Sequence, residues 1–335
     1  MKKLFLMIAL LVITSMLLAG CQKATSVPTE EPAAEAQLPE EMLIGVSQRW
    51  GTAAFLKTID LGARDAAKEW EEKLGVKIEL RTTDAGADDP SQQVRDMEDL
   101  YNLGVNGLLL FPGDSSVVSD PLKTIYNANK VPVAITDIGV DDGEFVSIVV
   151  TDNRKAGEMA GEAMAEMVAK GGKVVVFNHA PGNNNVTTRI QGFTEKATEL
   201  GLVVIPEKVI KYSIEGGKQV TEDTLASDPD IAGIFLVGNV PAVGVASALE
   251  DAGNTTTKIV AFDLDNATLQ AVKDGLIDAS IVQDPYYMGH EAMNQLMYFI
   301  TGETSEITDH IPAPIRILTQ ENAGEFESDP QVTLQ

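Results

Sequence analysis

Two aspartates and a glutamine occupy comparable places in this 335-residue chain. Asp137 follows the apolar run VPVAIT (131–136), Asp263 follows KIVAF (258–262) and Gln283 follows ASIV (279–282). Short apolar runs bounded by turn residues read as buried strands. Other chemistry-bearing residues stand just past such runs. Ser47, Gln48, Arg49 and Trp50 close the run that begins at Met42, with Phe55 further on; NHAPGNNN (178–185) follows KVVVF, and Gly238-Asn239 follows IAGIFLV. Carboxylates and amides bond hydroxyls, and flat rings cover the apolar faces of a sugar. The set suits a polyhydroxylated ligand. Each member also has a plainer reading: Asp137 and Asp263 as caps, Trp50 and Phe55 as core or lid, and asparagines 183–185 as loop and helix-start chemistry.

Other chemistries find little support. His179, His290 and His310 are dispersed in sequence, without the spacing of metal ligands. No GxGxxG follows a strand, and there is no phosphate loop, GxSxG, HExxH or calcium loop. Asp263 and Asp265 form a carboxylate pair with nothing beside it to make a catalytic constellation. No enzyme, metal or cofactor is expected. The formal charge of −25, without a basic run, would repel phosphate backbones and argues against nucleic acid.

The elements that must position these residues alternate along the chain. Strands are expected at 42–47, 76–82, 107–112, 131–136, 145–150, 173–178, 202–206, 231–238, 258–263 and 279–284, with a last strand, PAPIRIL, at 312–318. Helices are expected at 56–74, 90–104, 116–130, 153–171 (capped by Thr151 or Asp152), around 187–200, 216–227, 241–252 and 265–274, and at 288–302. GEMAGEAM (157–164) places small residues four apart, a pattern for close helix packing. Such alternation predicts an α/β fold of parallel sheets covered by helices on both faces. Ligands in such sheets bind beyond the carboxyl ends of the strands. So many strands point to two lobes, with a closed eight-fold barrel as the alternative. No sequence repeat of fixed period is evident.

The only cysteine, Cys21, follows Lys2, Lys3 and an apolar run from Leu4 to Leu18 that is short for a membrane span. Leu18-Ala19-Gly20-Cys21 resembles the lipobox of bacterial lipoproteins. The resemblance implies cleavage before Cys21 and a lipid anchor on it. Removing residues 1–20 takes away two lysines and no acid, so the charge goes to −27. Residues 22–40 hold three prolines, four glutamates and no aromatic residue, the composition of a disordered tether.

Taken in order, GVNGLLLFPGDSS (104–116), VPVAITD (131–137), VTDN (150–153), RIQGF (189–193), DPDIAGIFLVGN (228–239), KIVAFD (258–263) and DGLIDASIVQDP (274–285) resemble the ribose-type family of periplasmic sugar-binding proteins. The similarity runs from about Leu43 to Leu318. It implies the type I periplasmic binding protein fold: two Rossmann-like lobes joined by three hinge crossings, near Thr151, Gln283 and Pro314. The lobes would be 41–150 with 284–313, and 151–283 with 314–335. It also implies an extracytoplasmic monomer that delivers a sugar to an ABC permease and is held to the membrane by its anchor. Phe55, Asp137, Asp263 and Gln283 match the family's ligand positions. The family's arginine after the first aspartate is replaced by Ile138, and a second arginine aligns near Thr187, with Arg189 two residues on. The first-loop asparagine falls on Ala53 and the second-lobe asparagine on Gly238, beside Asn239. Arg49 and Trp50 are candidates to supply the missing contacts. Ribose is therefore not the expected ligand; another pentose, a hexose, a deoxy-sugar or a polyol is. A nucleoside or autoinducer-like ligand is the alternative, as is a role in sensing instead of transport.

Overall fold

The computed structural model describes residues 38–334, apart from residues 50, 52 and 87–89. Cys21, its signal segment, most of the tether and Trp50 lie outside the described residues. Among the described residues no helix is long and apolar enough to cross a membrane.

Among the described residues the first element is strand β1 (Glu41–Gln48), which leads to helix α1 (Ala54–Leu74). Leu56, Ile59, Ala63, Ala66, Ala67 and Trp70 recur three and four apart and are buried, the stripe that a sheet-covering helix needs. Gly75, in the left-handed region, ends the helix. Then follow β2 (Lys77–Asp84), α2 (Pro90–Asn102), β3 (Gly107–Leu110), α3 (Ser115–Pro121), β4 (Val133–Thr136) and β5 (Ser147–Thr151). The helix expected over 116–130 is α-helical only to Pro121 and continues as a wider π-helical stretch, Leu122–Asn127. Proline has no N–H to continue the α pattern, so the winding changes there.

Beyond Thr151 the alternation resumes in a second sheet. Its elements are α4 (Asn153–Met167), β6 (Lys173–Asn178), α5 (Asn184–Glu199), β7 (Val203–Val204), β8 (Lys208–Val209), α6 (Ile214–Ser227), β9 (Ile231–Leu236), α7 (Val240–Asp251), β10 (Lys258–Phe262), α8 (Asn266–Lys273) and β11 (Ala279–Gln283). The chain then returns through α9 (Pro285–Thr301) and β12 (His310–Ala313), and ends with β13 (Ile315–Thr319) and α10 (Pro330–Thr333). Asp152 caps α4 by accepting from the Lys155 N–H at 2.9 Å.

The first sheet is wholly parallel, in the order β2-β1-β3-β4-β5-β12. The second runs β7-β6-β9-β10-β11-β13, with β8 also on β6 and only β13 antiparallel. Two open sheets exclude the closed barrel. The first five strands of the two sheets follow one order, so β4 and β10 are structural equivalents. Each sheet has an apolar cluster on both faces, as expected when helices cover it on both sides.

The strand expected over PAPIRIL is two strands. Ala313 pairs with Thr151 in the first sheet, and Ile315 pairs with Gln283 in the second. Pro314, which cannot donate to a ladder, stands between them. Likewise LVVIP (202–206) contributes only Val203 and Val204, and Lys208–Val209 forms a separate short strand.

Candidate functional site

Asp137 and Asp263 leave β4 and β10 by the same device. Both have left-handed backbone, with φ of +67° and +72°. Aspartate tolerates this region better than most residues. Each N–H donates to the neighbouring strand: Asp137 to Val149 O at 3.1 Å, Asp263 to Ile281 O at 2.8 Å. Neither caps a helix: the cap of α8 is Asp265, which accepts from the Thr268 N–H at 2.7 Å. Instead both line a cavity of about 660 Å³.

Phe55, Leu56, Asp137 and Ile138 line it from the side of the first sheet. His179, Asn183, Asn185, Arg189, Tyr212 and Asp263 line it from the second, with Gln283 at the end of β11. A second, more polar cavity of about 590 Å³ shares Ile138, Asn183 and Asn185 with the first. The Asn185 amide donates to the Asp137 backbone oxygen at 3.0 Å, bridging the two sides.

Arg189 is the cationic side chain in this lining, and it is almost fully buried. Close packing of α4 against α5 holds it there. A Cβ on Gly157 would lie 1.9 Å from the Arg189 backbone oxygen, so only glycine allows this approach. The guanidinium donates to Asn153 Oδ1 at 3.2 and 2.8 Å and to Val237 O at 2.6 Å. Its centre stands 3.3 Å from the Phe262 ring centre. Burial lowers its pKa to about 10, with both aspartates pulling the other way.

Gln283 links the crossings. Its Nε2 donates to Asp263 Oδ1 at 2.6 Å and its Oε1 accepts from Thr151 Oγ1 at 2.5 Å. Its backbone oxygen accepts from Gln331 Nε2 at 3.2 Å, which ties α10 to the site. That short helix also packs against α1.

The two carboxylates sit in different fields. Burial and the charge of Asp263 push Asp137 up to about 7, against the pull of Arg189. Burial also raises Asp263, but Arg189 and the Gln283 donor oppose it. His179 is pushed down to about 4, mainly by burial and then by Arg189, so it stays neutral.

Of the residues singled out in sequence, Phe55, Asp137, Arg189, Asp263 and Gln283 come together around the cavity. Asn239 stands behind it, buried, and its Oδ1 accepts from the Tyr212 hydroxyl at 2.9 Å. Arg49 and Thr187 are outside the described lining. Arg49 is buried, donates from Nε to Gly86 O at 3.2 Å, and packs its chain over Gly113. Thr187 is exposed, because it lies on the outward side of α5, two positions from Arg189. The arginine of this stretch that reaches the cleft is therefore Arg189, at its own place.

Four polar or aromatic lining residues fall outside the expected ligand set: His179, Asn183, Asn185 and Tyr212. His179 and Asn183 lie in the loop after β6 and Asn185 in the first turn of α5, and position just past the strand is the available signal. Asn183 does start a helix, accepting from the Val186 N–H at 3.1 Å, and lines the cavity as well. Tyr212 follows β8, which is too short to show any period. Its ring stacks beside His179 with centres 4.2 Å apart. Among the described residues no group of three histidine, cysteine or acidic side chains could hold a metal ion.

A family described as a periplasmic binding protein domain matches residues 44–304. The ribose import binding protein of Bacillus subtilis is 31% identical over 281 residues, covering 84% of this chain and 88% of that one. A solved solute-binding protein of an ABC transporter from Agrobacterium vitis, bound to alpha-D-tagatopyranose, superposes with a TM-score of 0.73 at 25% identity, over 87% of this chain and 98% of that one. Another from Agrobacterium radiobacter, in complex with D-arabinose, gives 0.70 at 26% identity, over 88% and 97%.

Proposed function

The chain belongs to the periplasmic binding protein family that includes the ribose import binding proteins, and on that premise we propose that it captures a monosaccharide or related polyol for an ABC importer. The observation that carries this reading is the pairing of Asp137 and Asp263. They end equivalent strands of two sheets and face one cavity, with Phe55 on one side and Arg189 on the other. Carboxylates at both walls bond hydroxyls from two directions, so a ligand stabilises the closed arrangement over an open one. The lobes, 41–150 with 284–313 and 151–283 with 314–335, would rotate about Thr151, Gln283 and Pro314. Phe55, Asp137, Asp263 and Gln283 hold the ligand; Arg189 and Asn239 act by fixing the second wall. A lipid on Cys21 holds the protein to the membrane, and the acidic segment 22–40 tethers it there.

A thermal-shift screen against monosaccharides, polyols and nucleosides tests this. A ligand at a hundredfold excess over its Kd adds about 2.7 kcal/mol of stability. One sugar should raise Tm, and Asp263→Ala should abolish the rise. The His179–Tyr212 ring pair favours a second reading, a nucleoside receptor, since such rings stack bases as well as sugars. A nucleoside hit with silence from every sugar would select it. Incorporation of labelled fatty acid, lost in Cys21→Ala, tests the anchor.

A further inference from the structure

The stretch that follows β9 seats three side chains of the second wall in succession. Val237 O accepts from Arg189, Asn239 Oδ1 accepts from the Tyr212 hydroxyl, and Gly238 between them lies against the rings of His179 and Tyr212. A Cβ on Gly238 would stand 2.8 Å from His179 Cε1, 2.9 Å from Tyr212 Cε2 and 3.3 Å from His179 Nδ1. The backbone of Gly238 does not have a positive φ, so this glycine provides space and not a special turn. The ring pair fills that space, with centres 4.2 Å apart.

His179 lines the cavity, and its two ring nitrogens stand in different surroundings. Nδ1 is buried on the Gly238 side without a hydrogen-bond partner. Nε2 is not buried, and among the described residues no hydrogen bond engages it. Burial and the charge of Arg189 keep the ring neutral, so it carries one N–H and one lone pair. An N–H on Nδ1 would be buried without an acceptor, a costly arrangement. On Nε2 the same hydrogen reaches the cavity, where a ligand oxygen can accept it. A hydroxyl both donates and accepts, and the His179 N–H meets its accepting half.

We infer that His179 is a ligand-binding residue of this cleft, donating from Nε2 to an oxygen of the sugar, and that Gly238 is the positioning residue that seats its ring. The inference rests on the sugar-receptor reading above and adds a contact to it. The test begins with calorimetric titration of the purified protein. The probes are the aldopentoses, the aldohexoses, the ketohexoses and their deoxy and polyol counterparts. The tightest binder should lose about tenfold or more in affinity in His179→Phe, which keeps a ring beside Tyr212 and removes both nitrogens. Nitrogen NMR of the labelled protein at about pH 7, where the ring is neutral, reads the contact itself. The His179 hydrogen should sit on Nε2 in the free protein, and the Nε2 resonance should move when that sugar is added. In Gly238→Ala the affinity should fall by about tenfold or more and the sugar-induced movement should vanish, because the added methyl displaces the ring pair. A smaller loss in His179→Phe overturns the contact and leaves the sugar-receptor reading standing. A hydrogen on Nδ1, or an Nε2 resonance that sugar does not move, overturns the donor assignment. Parental affinity and a parental resonance shift in Gly238→Ala overturn the seating role. His179→Phe and the parent spectra decide the contact whether or not Gly238→Ala folds. Silence from every sugar and polyol overturns both readings.

Discussion

Asp137 and Asp263 end equivalent strands with the same left-handed turn, yet their surroundings differ. Asp263 has a bonded amide from Gln283 at 2.6 Å and shares its wall with a locked Arg189. Asp137 has burial, a like charge across the cleft, and Ile138 as its neighbour. The second wall is thus built in advance by the protein's own hydrogen bonds. The first keeps its carboxylate open, so a ligand has most to offer there. Matching backbones did not produce matching sites, because side-chain partners and not strand position set the electrostatics.

The largest way to break the contrast is Arg189→Met. It leaves Asn153 Oδ1 and Val237 O without their donors and both aspartates without their cation. Urea unfolding should show a loss of about 3 kcal/mol or more. A loss under about 1 kcal/mol would mean that the second wall does not depend on this residue. Gly157→Ala attacks the same wall from behind, since its Cβ would lie 1.9 Å from the Arg189 carbonyl oxygen. It should cost about 1–3 kcal/mol in the same measurement.

Asp137→Asn sharpens the contrast through pH. The Asp137 carboxyl is raised to about 7 in the fold, above its value in an unfolded chain. Between the two values the folded state binds the proton more tightly, so this group makes stability fall as pH rises from about 4 to 7. The ligand-free protein should therefore lose Tm over that interval, and Asp137→Asn should lose less. Identical profiles for the two proteins would remove the strain assigned to Asp137. The smallest effect is expected outside the cleft. Thr187→Ala, on an exposed position, should leave sugar affinity within twofold of the parent protein by calorimetry. A tenfold loss would restore Thr187 to the site.

Much of the fold was legible because its signals are local. Runs such as KVVVF and KIVAF, short and bounded by turn residues, match buried strands better than helices, and α1 carries its apolar stripe in plain spacing. Post-strand position then pointed to Asp137, Asp263 and Gln283. The misreadings have physical causes. PAPIRIL looks continuous because both halves are apolar, and only pairing partners reveal that it serves two sheets. Tyr212 was hidden because a two-residue strand carries no pattern. Arg49 looked like a grip on ligand, and instead its side chain closes over Gly113 within the first lobe's loops.

Periodicity and chain neighbours carry the alternation of strands and helices, the resemblance of the stretch before Cys21 to a lipobox, and which residues stand at strand ends. Which strand ends meet is a property of the folded chain alone. The fold brought the loop after β6 and Tyr212 to the same cavity as Asp137, and it bound the donors of Arg189, Gln283 and Asn185 to partners far along the chain. Which donors remain open depends on those distant partners, and no local pattern records them.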